Sequence, residues 1–150
     1  MSAPTRVTFL ALCAGSYQGQ GVNHEGQDFD AAFTINPPRN THAVVTHYRA
    51  AALAGELFHE DHMFVGLGPA GTWQAVSASN NIPGLQYFAV AIAGAQLTLT
   101  HGDLSDLASF REVITLKLQA SGEIHHQFAW AMPGQTLRTQ SECLLVKQGK

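Results

Sequence analysis

Among these 150 residues the side chains able to do chemistry are eight histidines, eleven carboxylates and two cysteines, Cys13 and Cys143. His59-Glu60-Asp61-His62 sets four potential ligands in a row. Alternate residues of an extended chain share a face, so His59 goes with Asp61 and Glu60 with His62. That is not the helical His-Glu-x-x-His pattern, and zinc needs three or four converging ligands, so no metal site is assigned. His126, placed beside Cys143, could form an activated thiolate pair, or ligate haem or a soft metal. The plainer reading is a neutral, hydrogen-bonded histidine in an apolar surround. Glu112 is the more informative residue. A carboxylate on an otherwise apolar face must be paired, solvated or protonated. Its candidate companions are Arg49, His47, Glu60 and His62.

Short strands must position these groups. Gly15-Ser16-Tyr17-Gln18-Gly19-Gln20-Gly21 puts Tyr17, Gly19 and Gly21 on one face of an opening strand, where glycine allows a bend or a close backbone approach. It does not read as a phosphate loop, which should open a helix. An alternation of Phe29, Ala31, Phe33 and Ile35 with polar or small residues follows instead. Asn36-Pro37-Pro38-Arg39-Asn40 breaks that strand. Further runs over 41–52, 56–65, 72–79, 85–92, 95–100, 109–119, 123–132 and 136–147 are separated by turn residues. About ten evenly spaced strands would expose long edges unless they closed. The expectation is all-β: one domain over 1–150, an up-and-down antiparallel barrel of about ten strands. The apolar run from Val7 to Ala14 is short for a secretory signal, and Leu12 is too large for a cleavage site. It reads as a short helix plugging one barrel end, capped by Ser2 or Thr5 with Pro4 in its first turn, in a cytoplasmic protein.

Turn chemistry sets the last three strands in register. Ala120-Ser121-Gly122 makes a three-residue bulged loop, and Gly134-Gln135 reads as a two-residue type II′ turn. One inward surface then carries Phe110, Glu112 and Leu116, then His126, Phe128 and Trp130, then Thr139, Ser141 and Cys143. Leu116, His126 and Cys143 form one row; Glu112, Trp130 and Thr139 form another. The rows are about 13 Å apart, so Glu112 and His126 are not a direct pair.

The glycine strand resembles the Gly-x-Trp-x-Gly-x-Gly opening of nitrobindin-like members of the calycin superfamily, which also holds lipocalins and fatty-acid-binding proteins. Leu57-Phe58-His59-Glu60, Gly68-Pro69-Ala70-Gly71 and Asn81-Ile82-Pro83-Gly84 follow in an order similar to the middle of such proteins. The resemblance implies a lined cavity for a small apolar molecule, and a barrel-end contact between Tyr17, in place of tryptophan, and Lys147. It does not carry haem chemistry over, because no histidine lies between Gln127 and Lys150, where that family places its ligand.

Charged residues make up 13% of the chain, against roughly 25% in an average soluble protein, and the net charge is -3. No basic patch invites nucleic acid, and no apolar run is long enough for a membrane helix. Sparse charge and unassigned apolar positions such as Leu144 and Val146 point to a homodimer. The favoured reading is a barrel that binds a small, mostly apolar molecule, with no cofactor and no assigned catalytic residue. Its site would draw on Glu112, His126, Trp130, Phe128, Phe110, Leu116, Cys143, Arg49, Glu60 and His62. Two alternatives stand beside it: a lyase or isomerase using Glu112 and His126 with a tyrosine, and a haem or metal protein.

Overall fold

The computed structural model describes residues 9–36 and 43–149. Ten strands follow one another: β1 (Gly15–Val22), β2 (Asp28–Ile35), β3 (Ala43–Ala52), β4 (Leu57–Leu67), β5 (Trp73–Ser79), β6 (Leu85–Ala93), β7 (Gln96–His101), β8 (Arg111–Leu118), β9 (Ile124–Ala131) and β10 (Arg138–Lys147). Each pairs antiparallel with its sequence neighbours, and β1 pairs with β10, so the meander closes into a barrel. Closure removes every free edge, which a sheet this long requires. The expected fold is the observed one. The caps read for Ser2, Thr5 and Pro4, and the break over Pro37-Pro38-Arg39-Asn40, lie outside the described residues.

The glycines of β1 make the closing seam possible. A Cβ at Gly19 would strike the Leu144 carbonyl, and one at Gly21 would strike both the Glu142 carbonyl and the Phe29 ring. Below them, a helical turn over 9–12 covers one barrel end with Phe9 and Leu10 buried, and Tyr17 Oη donates to the Cys13 carbonyl at 2.6 Å. Tyr17 is paired with Lys147 in the register of the seam. The Lys147 stem, however, lies against Gly15.

The interior is layered by strand position. At the plugged end Ile35, Leu97, Ile124 and Leu145 are fully buried. Leu116, His126, Cys143, Phe33, Tyr48 and Asp61 form the middle. Towards the other end the inward positions turn aromatic and polar: Phe29, Glu112, Gln86, Phe128 and Trp130. Aliphatic packing thus gives way to a mixed surface within the length of one strand.

Two expectations about the last strands need correction. Gln135 N–H donates to the Met132 carbonyl at 3.0 Å, and Gly134 has φ +82°. The turn is therefore centred on Pro133-Gly134 rather than on Gly134-Gln135. Proline fixes the first central φ and glycine supplies the positive second one, the demands of a type II turn. In addition, β10 bulges at Gln140: Thr139 faces Ala129 while Ser141 faces Phe128. Trp130 therefore lies opposite Arg138, not Thr139. The rows Leu116–His126–Cys143 and Glu112–Trp130 stand as read.

Candidate functional site

The open end of the barrel is a cup of about 440 Å³. Its walls are Phe29, Phe58, Phe110, Phe128 and Trp130, with Glu112 and His59 among the polar lining groups. This volume lies within the range of ligand sites, roughly 300–1,000 Å³. The void beneath, among Leu10, Leu99, Leu116 and His126, measures only about 20 Å³. That is space for about one water. The barrel is therefore packed below and hollow above.

Local devices at the rim build the cup. Asn23 Oδ1 accepts from the Glu25 and Gln27 amides, each at 2.9 Å, and so folds the β1–β2 turn. The turn carries His24 edge-on to Trp130, with ring centroids 5.2 Å apart. In β4 the extra residue of a second bulge is Phe58, since Ala50 faces His59 while Ala51 faces Leu57. Bulges re-aim side chains, and both bulged residues, Phe58 and Gln140, line the cup. Asn81 secures the first of them. Its amide nitrogen donates to the Phe58 carbonyl at 3.0 Å and to His59 Nδ1 at 2.9 Å. On the far wall Arg111 is buried beneath the rim loops and donates to the carbonyls of Ser109 and Gln135. It is a clamp on the Pro133 turn.

Glu112 is only 4% exposed, and Gln86 Nε2 donates to it across a long 3.5 Å. Burial pushes its carboxyl above the ordinary 4.5, opposed by the Gln86 contact and by nearby His59 and His101. Its neighbours within the barrel are His59 and Asp61, not the companions expected from the sequence. His59 Nε2 lies 2.9 Å from Asp61 Oδ2. Because the Asn81 amide donates to Nδ1, the proton sits on Nε2 and points at Asp61. Both ring nitrogens are thus engaged within the protein.

Arg49, Glu60 and His62 do not reach the cup. Tyr48 faces Asp61 and Arg49 faces Glu60 across β3–β4, and the parity of Tyr48, Asp61, Met63 and Val65 is the buried one. Both faces of this hairpin carry ionisable residues, so alternation alone could not assign the inside. On the outer face His47 and His62 stack at 4.2 Å, and His47 Nε2 meets Glu60 Oε2 at 2.9 Å. The three ligand atoms of His47, Glu60 and His62 lie within 4.8 Å of one another, on the barrel exterior.

The other expected residues divide by depth. Glu112, Trp130, Phe128 and Phe110 line the cup, whereas His126, Leu116 and Cys143 belong to the packed layer under it. His126 stacks on Tyr48 at 4.3 Å with nearly parallel rings, and its Nδ1 has no partner. Burial drives it down to about 3, so it is neutral. Burial lifts the Cys143 thiol to about 11, and its contact is Tyr48 Oη at 3.9 Å. Activation requires the opposite shift, a depressed thiol beside a charged imidazole. The arrangement therefore gives the activated-thiolate reading no support. From the sequence His59 is weighed only as a metal ligand, and the residues not assigned to the site are His24, Phe29, Phe58 and Asn81. The Asn81-Ile82-Pro83-Gly84 turn, noted only for its resemblance, was the one signal for the last.

No protein-family model matches the sequence, and no curated protein matches it. Among solved structures, the crystal structure of Rv2717c from M. tuberculosis is similar over 99% of both chains, with 14% identity and a TM-score of 0.64. A de novo designed fluorescence-activating β-barrel is similar over 90% of this chain and 93% of that one, with 9% identity and a TM-score of 0.47. At these identities the likeness concerns the fold. The class is a closed ten-stranded antiparallel barrel.

Proposed function

We propose that this protein binds a small, mostly apolar molecule in the open cup, with Glu112 as its polar anchor. The observation that carries the reading is the hollow itself, about 440 Å³ walled mainly by aromatic side chains around a buried carboxyl. Packing alone would place an aliphatic residue at position 112, because an unpaired buried carboxylate costs several kcal/mol or is driven neutral. A ligand with one polar group gives that carboxyl a partner. The nitrobindin-like motif order supports a barrel-interior ligand of this kind.

The lyase or isomerase alternative loses its second group. His126 lies in the packed layer, four residues along the strand from the row of Glu112, and His59 has both nitrogens occupied. Binding therefore accounts for the cup better than acid–base chemistry does.

Titration with the neutral dye Nile red tests the reading. Its emission should rise to saturation with the native chain, and Trp130→Ala should weaken binding about tenfold, the loss of one aromatic contact of roughly 1.4 kcal/mol. A non-saturating rise, unaffected by Trp130→Ala, would remove the cup as a binding site.

A further inference from the structure

The charges around the cup are of one sign. Among the described residues its lining includes Glu25, Glu56 and Glu112 and none of the five described lysines and arginines. The two lining imidazoles are each beside a carboxylate, His24 by Glu25 at 3.7 Å and His59 by Asp61 at 2.9 Å. The one arginine packed behind the lining, Arg111, is spent on backbone carbonyls. Arg138 lies opposite Trp130 but is exposed and outside the lining.

Glu112 also stands directly across β8–β9 from Trp130, so carboxylate and indole share one face as adjacent cross-strand neighbours. Phe110 and Phe128 complete an aromatic surround. Ring faces attract cations by their quadrupole, Trp most strongly, and the attraction grows when water is excluded. A cleft lined by one sign of charge also concentrates counter-ions of the other.

From these placements we infer that the ligand is a small organic cation: an amine on an aromatic or otherwise apolar body, its nitrogen between Glu112 and Trp130. This rests on the cup being a binding site and adds the charge of what fills it. A neutral ligand would offer the buried Glu112 no counter-charge, and an anion would meet Glu112 inside the cup and the exposed Glu25 and Glu56 at its rim. The groups facing Glu112 are His59 and Asp61 from β4, Gln86 from β6, His101 from β7 and Trp130 from β9. Burial raises the Glu112 carboxyl above its ordinary value, and an ammonium docked beside it would favour the carboxylate.

A matched set of probes tests this by calorimetry near pH 7: naphthylmethylamine, naphthalenemethanol and naphthoic acid. The amine should bind at least tenfold more tightly than the alcohol, and the acid most weakly. Glu112→Gln should shrink the amine-to-alcohol preference about tenfold. Glu123→Gln, at the plugged end, removes the same charge and should leave the preference intact. If the alcohol or the acid binds as well as the amine, or if both variants act alike, the cation assignment is wrong while the cup remains a binding site. If none of the three binds while Nile red still saturates, the cation assignment falls and the cup remains a binding site; if Nile red fails as well, both readings fall.

Discussion

Glu112 and His126 are buried alike, yet they tie stability to pH in opposite directions. His126 falls from 6.5 to about 3 on folding, chiefly by burial and secondarily by the nearby His59 and His125. Between those values the unfolded chain holds the extra proton. Stability is thus full above pH 6.5 and declines as pH drops towards 3, by about 1.4 kcal/mol per unit for one proton. Urea midpoints should show this slope, and His126→Phe, which keeps a ring against Tyr48, should flatten it; an unchanged slope would place the acid sensitivity elsewhere. Glu112 is raised on folding, so its contribution is present below 4.5 and lost as pH rises through the folded value. Glu112→Gln should therefore stabilise the chain at pH 8, by roughly 1–3 kcal/mol, and by much less at pH 4. A uniform effect at both pH values would contradict a buried, ionisable Glu112. Cys13 and Cys143 are both free, buried and lifted to about 11. Neither should react with a thiol reagent at pH 8 faster than the barrel opens.

The elements show what shapes the cup beyond strand alternation. Asn81 holds the Phe58 bulge through two donated bonds, so Asn81→Ala should cost about 1–2 kcal/mol by urea unfolding and weaken Nile red binding as Phe58 loses its aim. Stability lost with no change in dye affinity would make the bulge a feature of the fold alone. All ten strands were legible in the sequence because most have one wet face and turn residues at both ends. The register of β8 and β9 was legible from Ala120-Ser121-Gly122, whose odd length fixes which faces coincide. The bulges were not legible, for neither Phe58 nor Gln140 differs in type from an ordinary strand residue. Pro133 was visible but passed over, and it decides the turn type. The inward parity of β4 was hidden because His59 and Asp61 look no more buried than Glu60 and His62. Half of the site, the Glu112 and Trp130 wall, could thus be read; the half built by bulges and turns could not.

At the scale of the whole molecule, a plugged, packed end supports a hollow one, and the outside of the barrel remains apolar in places. Leu144 and Val146 are exposed on β10, and Phe64, Val76 and Tyr87 form an outer row across β4, β5 and β6. We propose self-association through such positions. Light scattering at high micromolar concentration should give a dimer mass that Phe64→Asp lowers, and a monomer mass throughout would count against it. The two tryptophans report on the hollow end more directly, since Trp130 lines the cup while Trp73 is buried and outside its lining. Their indole N–H signals can be followed by nuclear magnetic resonance during titration with naphthylmethylamine and with naphthalenemethanol. The cup predicts a saturable shift of the Trp130 signal with Trp73 nearly still. Two indole signals that both stay in place, or that drift together without saturating, would contradict it.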